Sequence, residues 1–128
     1  MPRKLLAVQV AALGWDFLRT RHPDGRWHGL EFGPMEPVFP AVTCPAQASF
    51  RTARPPAEHG MRSNAAWIPR LRRPMFWEQS SALVRGPRIW QEMRAAGGSV
   101  GMLFWQQSLG EEVDVLLSPA PIHKHGGG

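Results

Sequence analysis

Apolar residues gather in short runs rather than long periodic stretches. Leu5 to Ala12 is apolar apart from Gln9 and reads as a first buried strand of a parallel sheet. Trp15 to Arg21 reads as a helix or turn after it. His22 to Pro37 is loop, with its turn signal at Pro23-Asp24-Gly25. Val38 to Val42 is apolar, but Pro40 weakens a strand there. Thr43 reads as a helix N-cap, with Pro45 in the first turn of a helix running to about Thr52. Pro55-Pro56 ends that helix and puts Glu58-His59-Gly60 in a loop. Arg62 to Ser80 shows no period and reads as irregular. Pro87 at a first helical position predicts a helix over Arg88 to Ala96, with Ile89, Met93 and Ala96 on one face and Gly97 closing it. Val100 to Trp105 and Val113 to Leu117 read as buried strands. The order predicts an α/β domain with a mainly parallel sheet and flanking helices.

Composition narrows the class. With 128 residues, 43% hydrophobic and 20% charged, the chain is long enough for one core and unlike a disordered segment. Thirteen Gly and thirteen Pro rule out long helices. The single cysteine, Cys44, has no partner for an internal disulfide, which suits a cytoplasmic setting. Arg3 and Lys4 ahead of the apolar start give a minority reading as a secretion signal. No run reaches the ~18 apolar residues of a membrane span. The three terminal glycines suggest a cut chain, though a frayed natural terminus has the same composition.

The net charge of +5 is concentrated. Residues 51–73 carry six arginines (51, 54, 62, 70, 72 and 73) against one acidic residue, whereas the segments on either side are nearly balanced. Such a cluster suits a phosphate, a nucleotide or a nucleic acid; a solvated basic face is the plain alternative.

Thr43 has two readings. A threonine at a helix mouth usually caps it. The same free N–H groups and dipole also suit a nucleophilic hydroxyl and the phosphate it attacks. Cys44 does not complete a C-x5-R phosphatase loop, because Phe50 occupies the arginine position and Arg51 comes one residue late; it reads as a buried thiol. His123 and His125, two apart, have metal-ligand spacing but no carboxylate or cysteine beside them. The tryptophans read mainly as core, with base stacking open to Trp67 and Trp77 beside the arginines.

Pro40-Ala41-Val42-Thr43-Cys44-Pro45, then Arg54-Pro55-Pro56-Ala57-Glu58-His59-Gly60-Met61 and Asn64, resembles the nucleotide pyrophosphatase/phosphodiesterase branch of the alkaline phosphatase superfamily. Phe76-Trp77-Glu78-Gln79-Ser80 and Gly101-Met102-Leu103-Phe104-Trp105 extend the resemblance over nearly the whole chain. It implies a metal-dependent phosphoric ester hydrolase with an alkaline-phosphatase-like fold and two divalent cations, usually zinc. Thr43 would be both nucleophile and, through its oxygen, a metal ligand. Asn64 would donate to a phosphate oxygen, with Arg62 as a weaker substrate contact, and His59 would be structural. The substrate would be a phosphate ester or nucleotide. Departures matter too: where the family has an Asp-Gly metal-binding pair after the first strand, this chain has Ala11-Ala12, and Asp16 matches an acidic position that binds no metal. Residues 1–128 then read as the N-terminal part of one incomplete hydrolase domain, inactive alone, with the remaining ligands beyond the chain end. The alternative is a basic nucleic-acid-binding module without catalysis.

Overall fold

The computed structural model describes residues 4–119 and divides into two compact units, one up to Glu36 and one from Pro37. In the first, α1 (Trp15–Arg21) forms as expected, with Asp16 in its first turn and Arg19 and Arg21 in its last, complementing the helix dipole. Asp16 pairs with Arg19 at 2.9 Å on the surface. The loop expected over 22–37 contains a small antiparallel hairpin, β1 (Arg26–Trp27) and β2 (Leu30–Glu31). Its two turn residues, His28 and Gly29, both have positive φ, the geometry that matches the twist of a two-residue hairpin.

The expected strand at Leu5 to Ala12 is not formed. Leu5, Leu6, Val8 and Val10 are exposed, and no ladder involves them among the described residues. An apolar run supplies strand propensity, but a strand needs a partner for its N–H and C=O groups. Ala12 has φ 60, a conformation glycine adopts more readily.

In the second unit, α2 (Thr43–Thr52) begins one residue away from the expected register: Val42 is the extended N-cap and Thr43 the first helical residue. Pro45 fits because no N–H is needed in the first turn. Cys44, Ala48, Arg51 and Thr52 are the buried face, spaced i, i+4, i+7 and i+8. Ala53, left-handed at φ 52, ends the helix. The segment expected to be loop at Glu58-His59 is one helical turn, α3 (Pro56–His59), begun by Pro56 and closed by Gly60 at φ 87. Cys44, Ala48, Met61 and Val84 form the core, with Leu83 against it.

The stretch expected to be irregular holds an antiparallel hairpin, β3 (Ala65–Ile68) and β4 (Arg73–Phe76), joined by a 3-10 turn at Pro69–Leu71. Pro74 is tolerated because a two-stranded ladder has only edge positions. The helix expected from Arg88 starts later, as α4 (Gln91–Ala95). Ile89 N–H instead donates to Arg51 O at 2.9 Å, at the end of α2. Gly97 closes α4 as expected: Gly98 N–H returns to Met93 O and Gly97 N–H to Arg94 O, both at 2.9 Å.

The last expected strands form as β5 (Gly101–Leu103) and β6 (Val115–Leu117), paired in parallel, but they are not the buried strands expected: Met102 is buried, whereas Leu103, Val115 and Leu117 are exposed. Helix and strand are therefore mixed as predicted. The mainly parallel sheet is not what the described residues build: they make three two-stranded sheets, and one of them is parallel.

Candidate functional site at the mouth of helix α2

The first turn of α2 leaves N–H groups that the helix cannot satisfy. Pro45 has none, and Ala46 N–H reaches Val42 O at 3.1 Å. Cys44 N–H donates to Asn64 Oδ1 at 3.0 Å. Thr43 is half-buried and is the first helical residue, inside the Val42 N-cap, so it does not occupy the capping position of α2. Its N–H, preceding the first possible helical bond, lies at the same positive helix end.

Asn64 is held from several sides. Its carbonyl Oδ1 is committed to Cys44, which fixes the amide so that Nδ2 is the remaining donor at the helix mouth. Its backbone carbonyl accepts from Trp77 N–H at 3.0 Å, and Ser63 Oγ accepts from Ala65 N–H at 3.0 Å, tightening the turn. Thr43 and Asn64, twenty-one residues apart in sequence, are thus brought to one place. Arg62 is exposed two residues before Asn64.

His59 supports this arrangement from below. It is fully buried; Nδ1 accepts from Met61 N–H at 3.1 Å, so Nε2 carries the proton and donates to Ser49 Oγ at 2.9 Å. Burial, reinforced by Arg51 and Arg85, lowers its pKa and keeps it neutral. The ring ties α3 to α2 and fixes the start of the segment leading to Asn64.

Cys44 is a core thiol. It is buried, its pKa is raised by burial, and Gln107 Nε2 contacts Sγ at 3.1 Å. A raised pKa is the reverse of what a thiolate nucleophile requires.

The basic cluster is less uniform than its sequence suggests. Arg51 is fully buried, donating through Nη1 to Gln107 O at 2.8 Å and to Glu111 Oε1 at 3.1 Å. Burial lowers its pKa to about 10, which still leaves it charged at neutral pH. Arg54 pairs with Glu58 at 2.6 Å. Arg62, Arg70, Arg72 and Arg73 remain exposed.

Sequence reasoning missed the polar belt behind α2. Glu111 also takes Arg88 Nε at 2.7 Å. Gln106 N–H donates to Gln47 Oε1 at 2.7 Å, and Gln107 N–H to Gln79 Oε1 at 3.1 Å. Trp105 packs on Phe50 with centroids 5.3 Å apart. The run Gln106-Gln107-Ser108 directly after an apolar strand was the available signal.

A cavity of about 400 Å³ lies elsewhere, lined by Ser81, Arg88, Trp90, Arg94, Glu111 and Glu112 among others; neither Thr43 nor Asn64 lines it. Its arginines are taken: Arg88 by Glu111 and the Gly86 and Val84 carbonyls, Arg94 by Glu112 O and Asp114. It offers no free cation to an anionic ligand.

A two-metal centre needs several His, Asp or Glu side chains converging. Among the described residues no group of three or more His, Cys, Asp or Glu comes together, so they do not by themselves fit a pair of cations. His123 and His125 lie outside the described residues.

A helix N-terminus with an asparagine amide anchored to it through Oδ1 has N–H donors of the kind that can face an oxyanion or a phosphate. The family model for type I phosphodiesterase / nucleotide pyrophosphatase matches residues 26–122, and the chain belongs to that family. No curated protein and no solved structure gives a match. No helix among the described residues is long and apolar enough to cross a membrane.

Proposed function

We propose that this chain carries the nucleophile-bearing part of a phosphoric ester hydrolase, with Thr43 as the attacking group. The observation that carries the reading is the Cys44 N–H bond to Asn64 Oδ1 at the N-terminus of α2, which anchors the Asn64 amide next to the residue that follows Thr43, the first of that helix. Family membership supplies the reaction class, hydrolysis of phosphodiesters or pyrophosphates.

In this reading Thr43 Oγ attacks phosphorus in line with the leaving oxygen. The Oγ–P bond forms, the bond to the leaving alcohol or phosphate breaks, and the hydroxyl proton passes to solvent or base. Asn64 Nδ2 and the Thr43 N–H donate to the non-bridging oxygens, where charge builds, and the α2 dipole adds to the same stabilisation. Water then cleaves the Oγ–P bond and restores the threonine. Arg62, exposed and near in sequence, is a secondary contact for the substrate. Two divalent cations, zinc by resemblance, would lower the hydroxyl's pKa; beyond Thr43 Oγ, their protein ligands would come from outside the described residues. The larger alkaline-phosphatase-like sheet and a cytoplasmic setting belong to the same proposal. So does inactivity of this chain by itself.

The test is zinc-dependent cleavage of bis(4-nitrophenyl) phosphate by a longer protein containing this chain, compared with its Thr43→Ala variant. Loss of nearly all turnover is expected in the variant, with a phosphate adduct on Thr43 in the wild type. Equal turnover in both would end the assignment.

A further inference from the structure

The β3–β4 hairpin has a face that nothing in the reading above uses. Strand alternation and the register Ala65↔Phe76 and Trp67↔Pro74 put Ala65, Trp67, Pro74 and Phe76 on one side of the ladder. Trp67 is 62% and Phe76 64% exposed. They stand diagonally on adjacent strands, within reach of one flat ligand after another. Single exposed aromatics are common on surfaces, but two on one short sheet face form a platform.

The charge around this platform has one sign. From Arg62 to Trp77 the chain has four arginines and no acidic residue. Arg70 lies in the connecting turn and Arg72 at its left-handed end with φ 51, while Arg73 opens β4 opposite Ile68, on the face away from Trp67 and Phe76. All three are exposed, and among the described residues none joins an ion pair, whereas Arg19, Arg26, Arg51, Arg54, Arg88 and Arg94 all do. Unpaired guanidinium groups beside two aromatic faces complement a ligand with regularly spaced negative charge and flat rings between. An acidic peptide supplies the charge without the rings, and an apolar surface supplies neither.

We infer that the β3–β4 hairpin is a binding surface for single-stranded nucleic acid, with Trp67 and Phe76 stacking on bases and Arg70 and Arg72 contacting phosphates. A duplex hides its base faces and suits this platform poorly. The inference does not depend on Thr43.

The experiment is fluorescence anisotropy of a labelled dT20 strand titrated with the full chain. A labelled duplex and competing inorganic polyphosphate serve as comparisons. The expected result is binding to dT20 that outlasts matched polyphosphate and exceeds binding to the duplex. Two phosphate contacts on a single strand give a log–log salt slope of about −1.4, hence roughly a sevenfold loss between 50 and 200 mM salt. Trp67→Ala is expected to weaken binding at least about fivefold with the slope unchanged. Arg72→Gln is expected to flatten the slope by about 0.7. Both sites are exposed, and unchanged circular dichroism in each variant separates lost binding from lost fold. Equal affinity for dT20 and polyphosphate, or no effect of Trp67→Ala, would overturn the stacking role and with it the proposal. Absence of dT20 binding together with self-association that Trp67→Ala abolishes would overturn it in favour of a second copy of the chain.

Discussion

Glu111→Ala would remove the carboxylate that holds two arginines behind α2. The side chains of Arg51 and Glu111 are 0% and 5% exposed, so the alanine variant leaves a guanidinium buried without its counter-charge. Breaking a buried pair in this way costs about 3–5 kcal/mol. Loss of the Arg88 contact at 2.7 Å adds about 1 kcal/mol. Arg51 has no reserve: Nε and Nη2 are already without partners, leaving the Gln107 carbonyl as its remaining bond. Against a typical total of about 5–15 kcal/mol, a loss of about 4–6 kcal/mol removes much of the folded population. Guanidinium denaturation of the chain and the variant would read this directly. The paired variant Arg51→Met, Glu111→Leu gives the control, because apolar groups of similar volume commonly replace a buried ion pair within a few kcal/mol either way. The reasoning predicts that the double variant is more stable than Glu111→Ala. A single-variant cost below about 1 kcal/mol, or a double variant less stable than the single, would refute it.

Burial lowers the folded pKa of His59 below its ordinary 6.5, so the unfolded chain binds the proton more readily. Its contribution is full above about pH 6.5 and declines as pH falls toward the folded value; a His59→Gln variant should flatten that part of a stability–pH curve measured by denaturant melts. Gly60→Ala should cost about 1–2 kcal/mol, because φ is +87 and the new Cβ would lie 3.2 Å from the Arg85 guanidinium; an unchanged denaturation midpoint would contradict the backbone geometry. Thr43→Ala should change stability by less than about 0.5 kcal/mol, since Thr43 lies inside the helix and the N-cap position belongs to Val42. A loss above about 1 kcal/mol would return Thr43 to a capping role.

Local chemistry made part of this fold legible. Thr43 read as a cap, Pro45 in the first turn and the prolines after Thr52 placed α2 to within a residue, and Gly97 placed the end of α4. The resemblance singled out Thr43 and Asn64, and the Cys44 N–H bond to Asn64 Oδ1 joins their two segments. That the Asn64 amide is fixed by Cys44 N–H was not legible, because a contact between residues twenty apart depends on how α3 turns the chain back. Other misses share one cause. The apolar run at Leu5 carries strand propensity without a pairing partner. The β3–β4 hairpin hides behind Pro69, Pro74 and an arginine in a left-handed conformation. Arg51 counts as surface charge in any composition, yet its position at i+7 from Cys44 puts it on the buried face, where Glu111, sixty residues later, compensates it.

The most direct measurement is a titration of the 15N-labelled chain with orthovanadate, followed through amide resonances. The account predicts saturable shifts confined to the Thr43 and Cys44 N–H groups and the Asn64 side-chain NH2, and their loss in Asn64→Ala with the remaining spectrum intact. Shifts confined to the exposed arginines, with the α2 amides and Asn64 unmoved, would contradict it.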